Sequence, residues 1–305
     1  MKRGIARGKE RDGARSALMV LLALYAVARV LQIFPEQAPT LLIVVLQVLP
    51  PALFAFVHGQ RVYGTRGILV FMGLCLATGT LFESLSLRTG FPFGHYRFTG
   101  VMGPKVFELP VLLALAWVGV GYTAWVVATL IVGARAHARA GVLLAPCLAA
   151  VTMTAWDLAM DPVWTHIDRA WVWLDGGGYF GVPFSNYGGW LLTTWVFYQV
   201  FAVWLSRQPR RVRMPHWNRL AVLMYGMVGT GNLLLAIPSA VRPSWPRMIV
   251  DAAGRRWFTT DIVGACVLTS VLVMGPLAAI AWIRVGSDAG FRRPTHSSAD
   301  ATGAE

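Results

Sequence analysis

The chain has 305 residues, of which 56% are hydrophobic and only 13% charged, with a formal net charge of +13. A soluble domain carries about 25% charge, so a water-exposed globule of this composition would have to hide almost every helix on all sides. The positive charge forms no single stripe but sits in short links between apolar runs, which argues against nucleic acid as a partner and for an anionic membrane surface.

The chain opens on a basic tail, residues 1–15, carrying Lys2, Arg3, Arg7, Lys9, Arg11 and Arg15. The apolar run from Ala17 to Ala28 that follows has the outline of a signal peptide. Apolar character resumes from Leu31 to Phe34 without a small-residue cleavage site, so a retained first helix is expected. Eight spans follow from hydropathy: about 16–34, 40–57, 67–87, 108–132, 141–161, 187–205, 218–238 and 260–283. Most approach the roughly 20 residues that cross a hydrocarbon core.

Prolines mark the irregular spans. Pro50-Pro51 near the end of the short second span predict a broken, tilted or partly re-entrant segment. Pro146 lies near the start of the fifth span, where it is tolerated, and Pro276 predicts a kink in the eighth. There is no internal repeat. The expected architecture is an all-α, polytopic membrane helix bundle of about eight transmembrane helices in the cell membrane, one domain over 16–283, with a flexible tail over 284–305. Most Lys and Arg residues fall on the side of the amino-terminal tail, which places both termini in the cytoplasm. Cys75, Cys147 and Cys266 are odd in number and lack metal spacing, so they read as packing residues.

Carboxylates are few, and Glu83, Glu108, Asp157, Asp161 and Asp261 all fall near span ends. An acid inside hydrocarbon is costly and reads first as functional. The paths from Gly67 to Glu83 and from Gly141 to Asp157 each rise about 24 Å, to the outer part of the membrane. Glu108 and Asp261 begin helices returning from that side, and Asp161 lies one turn beyond Asp157 on the same face. Asn232, about 21 Å into the seventh span, reaches the same layer. Depth follows from this topology; grouping in the membrane plane does not.

Two outer loops are the least generic stretches. The first, TGFPFGHYRFTG continuing to GPKVFELP, supplies His95, Tyr96, Arg97, Lys105 and Glu108. The second combines Asp157, Asp161, His166 and Asp168 with Trp156, Trp164, Trp171, Trp173 and Tyr179. Interfacial aromatics serve as anchors, but their density beside acids suits more. An apolar lipid end fits between the rings while one carboxylic acid supplies a proton and a carboxylate or histidine activates water. Aromatic faces stabilise cationic character. Such a set can hydrate an electron-rich alkene.

Structural readings compete at each position. Asp157 and Asp161 can hydrogen-bond Trp or backbone groups, and Asp161-Pro162 can end a helix. Glu83 can pair with Arg88 or Arg97, Glu108 with Lys105, and Asp261, after Thr259 and Thr260, reads better as a first-turn cap. His95 is a proton relay or an ordinary loop histidine, and Asn186 a helix cap or a substrate ligand. Arg29, read as an inner-half residue, is expected to snorkel or to contact lipid phosphate. Gly176-Gly177-Gly178 permits a sharp turn but lacks the Lys-Ser/Thr ending of a phosphate loop.

At FPFGHYRFTG (91–100), FELP (107–110), AWDLAMDPVW (155–164) and GGGYFGVPFSNYGGW (176–190), the chain resembles a membrane-bound carotenoid biosynthesis family. That family includes carotenoid 1',2'-hydratases and bisanhydrobacterioruberin hydratase. The likeness is strong over the third to sixth spans and general elsewhere. It implies addition of water across the terminal isoprenoid double bond of an acyclic carotenoid, giving a tertiary alcohol without redox cofactor or metal. The implied partners are the acyclic carotenoid, membrane lipids and other enzymes of the carotenoid pathway. In this reading Asp157 or Glu83 is the acid, Asp161 or Glu108 orients water, and His95 relays protons. Tyr96, Arg97, Trp156, Trp164, Tyr179, Asn186 and Asn232 contribute to the substrate pocket.

Two alternatives stay open. A membrane prenyltransferase would use Asp157-x-x-x-Asp161 as a Mg²⁺-diphosphate element, although Asp251 and Asp261 do not clearly supply the second one. A lipid or ion transporter would use the acids as a gated polar path.

Overall fold

The computed structural model describes residues 2–34, 37, 39–106, 108–133, 139–208, 215–237 and 247–290. Phe107 of the FELP stretch, the expected tail beyond residue 290, and Arg135, Arg210, Arg211, Arg213 and Arg242 lie outside the described residues. Helix α1 runs from Lys2 to Leu31, so helical structure begins earlier than the apolar span. The next two expected spans are joined in one 50-residue element, α2 (Thr40–Thr89).

The break in α2 is not at the proline pair. It falls at Gly64, whose φ of 72° and ψ of 169° divide the element into two arms. Only glycine occupies that region of backbone space without strain. Pro50 and Pro51 stay helical, although they leave the carbonyls of Leu46 and Gln47 without their usual donors. They lie where α3 (Val111–Val132) comes closest, since a Cβ on Gly119 would stand 2.8 Å from the backbone nitrogen of Ala52. Close helix contact at a small residue is a common membrane packing device.

Helix α3 is apolar all round and mostly buried, the central post of the bundle. Helix α4 (Arg139–His166) passes through both Pro146 and Pro162, so Asp161-Pro162 does not end it. Next come α5 (Phe184–Ser206), α6 (Pro215–Thr230) and a 3₁₀ turn over Gly231–Leu235. The last span consists of α7 (Thr259–Thr269), a π turn at Ser270–Met274 and α8 (Gly275–Gly290). The π turn lies just before Pro276, which has no N–H for the carbonyl one turn back. The irregularity predicted from Pro276 is therefore present as a π turn.

Six of the described helices are long and apolar enough to cross a membrane, among them Thr40–Thr89 with its two arms and Thr259–Gly286. With only 16 residues, α6 falls short of that length. The chain is thus a multi-pass membrane protein, an all-helical bundle of six to seven long apolar helices. Large apolar side chains such as Leu69, Leu81, Leu143, Leu272 and Ile283 are exposed on its outer surface, as lipid contact requires.

Among the described residues, three short two-stranded sheets, absent from the all-helical expectation, stiffen the loops. Strand β1 (Tyr96–Phe98) pairs antiparallel with β4 (Trp171–Trp173), setting Tyr96 opposite Trp173 and Phe98 opposite Trp171. Strands β2 (Lys105–Val106) and β3 (Leu109–Pro110) form a tight hairpin, as do β5 (Met248–Val250) and β6 (Arg256–Phe258). The β5–β6 hairpin packs on the loop before α5, with Phe180 against Trp257 at 5.4 Å between ring centroids. Inside its turn, Asp251 accepts from the backbone N–H groups of Ala253 and Arg255 and from Trp257 Nε1. Burial alone would raise that carboxyl, but these bonds and the Arg255 charge hold it below its usual value.

Candidate active site

Helix α4 sets the first two groups. Asp157 and Asp161, one turn apart, point to the same side and are each 1% exposed. Asn186, in the first turn of α5, faces them across the helix interface and is also buried. Its Nδ2 donates to Asp157 Oδ2 and to Asp161 Oδ2, both at 2.8 Å, spending its two hydrogens on the two acids. Of the two readings of Asn186, neither capping nor direct substrate binding describes this: it ties two carboxyl groups together.

The β1–β4 pairing brings the next groups. Side chains alternate along a strand, so Trp171 and Trp173 share a face, as do Tyr96 and Phe98. Trp171 Nε1 donates to Asp161 Oδ1 at 2.9 Å and Trp173 Nε1 to the same oxygen at 3.1 Å. With Asn186, three N–H donors converge on Asp161, an arrangement that suits an acceptor-only carboxylate. Tyr96 donates its hydroxyl to Glu83 Oε2, reaching it from the strand as α2 ends. Burial first, then the nearby Glu83 and Asp161 carboxyls, push the Tyr96 phenol well above its usual value and keep it a donor. Glu83 is therefore engaged by Tyr96, and the expected pairing with Arg88 or Arg97 is not what holds it.

These groups surround one cavity of about 20 Å³. Glu83, Asp157, Asp161, Asn186 and Tyr96 line it together with Phe93, Phe98, Leu113, Trp171, Trp173 and Trp190. Space of roughly 10–15 Å³ accepts the centre of a water molecule, so the cavity has room for one between three carboxyl groups. Neither Lys nor Arg is part of this wall among the described residues. Trp190 stacks on Trp117 at 4.3 Å and meets Trp156 edge-on at 5.8 Å, which fixes the aromatic side of the cavity.

Other expected site residues lie elsewhere. Glu108 is exposed at the β2–β3 turn with φ 68° and is not part of the acid pocket's wall. His95 is exposed and its Nδ1 bonds Asp175 at 2.8 Å on the protein surface, while Arg97, its neighbour but one, is also exposed. Strand alternation explains both, because Tyr96 takes the inward position between them. Tyr179 packs against Tyr187 and Phe180 under the β5–β6 hairpin. Trp156 and Trp164 line an adjoining cavity. Asn232 is buried at the far side of that cavity, where its Oδ1 accepts from Arg29. Arg29 is thus a buried partner of Asn232 and does not snorkel to lipid phosphate. Asp261 sits exposed in the first turn of α7.

Trp171 and Trp173 read from the sequence as aromatics of the second outer loop, outside the pocket, and Trp190 was only the last residue of the GGGYFGVPFSNYGGW stretch. The signal was present in the Trp-Val-Trp spacing, which puts both indoles on one face of a strand.

Fold and site together define a multi-pass membrane protein with a buried, aromatic-walled carboxyl pocket near one end of the bundle. The chain belongs to the carotenoid biosynthesis protein family, whose profile matches residues 38–248. It is 31% identical over 147 residues to the bisanhydrobacterioruberin hydratase of Haloarcula japonica. That match covers 47% of this chain and 48% of the relative, so the chain spans about half the length of the curated relative it matches. No solved structure matches the chain.

Proposed function

We propose that this chain is a carotenoid hydratase, adding water to the terminal isoprenoid double bond of an acyclic carotenoid to give a tertiary alcohol by acid–base catalysis. One observation carries the reading: three buried carboxyl groups and a row of aromatic faces enclose a cavity that accepts one water. The family and the similar hydratase support the same reaction class.

Asp157 is the proposed acid. Among the described residues one N–H reaches it, at Oδ2, which leaves Oδ1 to carry the proton. The proton goes to the less substituted alkene carbon, the π pair forms the new C–H bond, and a tertiary cation develops at the other carbon. Trp171, Trp173, Trp190 and Tyr96 present ring faces or edges around the cavity, and a cation over a face is stabilised by the ring quadrupole. Asp161 uses about three of its roughly four acceptor sites on fixed donors, and the last orients the attacking water. Water forms the C–O bond and gives its proton to the carboxylate, whose return to Asp157 closes the cycle. Such addition consumes only water, so no redox cofactor or metal is required.

Glu83 also faces a narrow apolar crevice lined by Leu76, Gly79, Thr80, Leu109, Ala114 and Trp117. This crevice between α2 and α3 is the proposed path for the lipid end from the bilayer. A prenyltransferase reading is weaker, because diphosphate would meet three acids and no Lys or Arg in this pocket. We further propose eight crossings with both termini cytoplasmic, the α6 segment being the seventh in chain order, flanked by tails over 1–15 and 284–305. Membrane lipids and neighbouring pathway enzymes are the expected partners.

The test is turnover of an acyclic carotenoid by the chain in membranes containing ¹⁸O-labelled water. A product carrying one labelled hydroxyl per reacted end is expected. Unchanged carotenoid, with insertion and substrate access verified, overturns the proposal. Asp157→Asn should reduce turnover by at least about 10²-fold, the usual scale for a general acid, while leaving the folded fraction unchanged. Near-parental turnover in that variant removes Asp157 from the role.

A further inference from the structure

Beyond the acid pocket lies a larger cavity that the chemistry above does not use. It measures about 180 Å³ and is bounded by α1, α2, α4 and the 3₁₀ turn after α6, with Arg29, Gln32, Gln47, Trp164, Asp168 and Asn232 on its wall. The polar groups are tied to one another. Gln47 Nε2 donates to Gln32 Oε1 at 3.2 Å, and Gln32 Nε2 donates to the Gly231 carbonyl at 2.7 Å. Arg29 donates to Asn232 Oδ1, and Asn232 Nδ2 donates to Ser270 Oγ at 3.0 Å. Arg29 is 8% exposed, yet its Nε has no partner among the described residues. A guanidinium and three side-chain amides around one chamber leave donors and acceptors to be satisfied by its contents.

The chamber leads toward the acids. Arg29, Gln47, Met160, Trp164 and Asn232 line both it and a middle cavity of about 40 Å³. Leu113 and Trp171 in turn line both that middle cavity and the acid pocket. Trp171 stacks on Trp164 at 6.0 Å with planes 17° apart, and its indole N–H donates to Asp161. At the other end Thr40, exposed at the start of α2, stands on the rim.

We propose that this chamber is the water supply of the acid pocket: water collects around Arg29, Gln32, Gln47 and Asn232 and passes the Trp164–Trp171 stack to reach Asp161. The inference rests on the hydration reading, since hydration consumes one water per turnover at a site enclosed by protein and lipid. Other contents fit the wall poorly. An anion would face Asp168 beside Arg29, and a hydrocarbon chain would leave the guanidinium and amides unpaired. Water meets every group as donor or acceptor. Lipid and water then arrive by different routes, the lipid end past Glu83 and water past Trp171.

Two measurements on the full chain in lipid nanodiscs test this. Hydroxyl-radical footprinting, in which radicals form from water in place, should oxidise Met160 and Trp164 several-fold faster than Met153 and Trp125. Met160, Met153 and Trp125 are buried and Trp164 is half-buried, so Met160 against Met153 is the deciding pair; Met153 and Trp125 are outside these cavities. Equal protection of the two sets overturns a water-filled chamber, whether or not the chain hydrates carotenoids. Gln47→Leu, which removes polarity, and Ile43→Phe, which fills volume, should each slow hydration roughly tenfold with KM for the carotenoid unchanged. Footprinting loss at Met160 without a change in turnover overturns the supply role. An inactive parent with a strongly labelled chamber instead overturns the hydratase reading and leaves water in the chamber established.

Discussion

Asp161 and Asp168 are seven residues apart and differ in their hydrogen-bond partners. Asp161 is held by two indole N–H groups and one amide, so its surroundings satisfy a carboxylate. Asp168, half-buried beyond the end of α4, is pushed up to about 7 by burial, with the Arg29 charge opposing. The pH dependence follows from the direction of that shift. The folded state binds this proton more tightly than the unfolded chain, whose carboxyl has its ordinary value of 3.8. Its stabilising contribution is therefore complete below that value and is lost as pH rises through about 7. Asp168→Asn cannot ionise, so it should flatten this decline and be the more stable protein above neutrality. Thermal unfolding in micelles at a series of pH values checks it; parallel curves for parent and variant would sink the argument.

At the level of elements, the sequence signals for irregular backbone were correct in kind and uneven in position. Pro276 marked its helix accurately, with the π turn at Ser270–Met274 absorbing the missing donor. Pro50-Pro51 did not break α2, because the close approach of Gly119 gives that stretch a packed neighbour and the arm continues to Gly64. A lone glycine between Tyr63 and Thr65 carries no strong signal in a chain with 31 glycines; its conformation does. Gly64→Ala should cost about 1–3 kcal/mol, since any Cβ at that φ and ψ is strained. Gly73→Ala, in the second arm with open space around its Cβ position, should be neutral or slightly stabilising and serves as the control. Denaturation of both variants in the same detergent separates backbone strain from general helix effects, and equal stability would mean that Gly64 is not a required hinge.

Across the whole molecule, depth was legible in the sequence and position around the bundle was not. Helix rise put Glu83, Asp157 and Asp161 in one layer, and the fold brings them to one cavity. The same rise gave Glu108 and Asn232 similar depths, but one is exposed on a hairpin and the other faces Arg29 across the bundle. Rise fixes height alone, and azimuth depends on packing between helices distant in sequence. Strands of three residues are too short for alternation to stand out, so the β1–β4 pairing that delivers Tyr96, Trp171 and Trp173 was not foreseen either. The proposed orientation rests on charge bias alone and needs its own measurement. Gly100 and Arg207 are both exposed, the first in the loop after β1 and the second after α5. If the termini are cytoplasmic, the Gly100 loop faces out and Arg207 faces in. In a Cys147→Ser background, where Cys75 and Cys266 are buried, a membrane-impermeant maleimide added to intact cells should label Gly100→Cys and spare Arg207→Cys. Inside-out vesicles should give the converse. The reverse pattern would place the carboxyl pocket near the cytoplasmic face, so that the chamber draws its water from inside the cell.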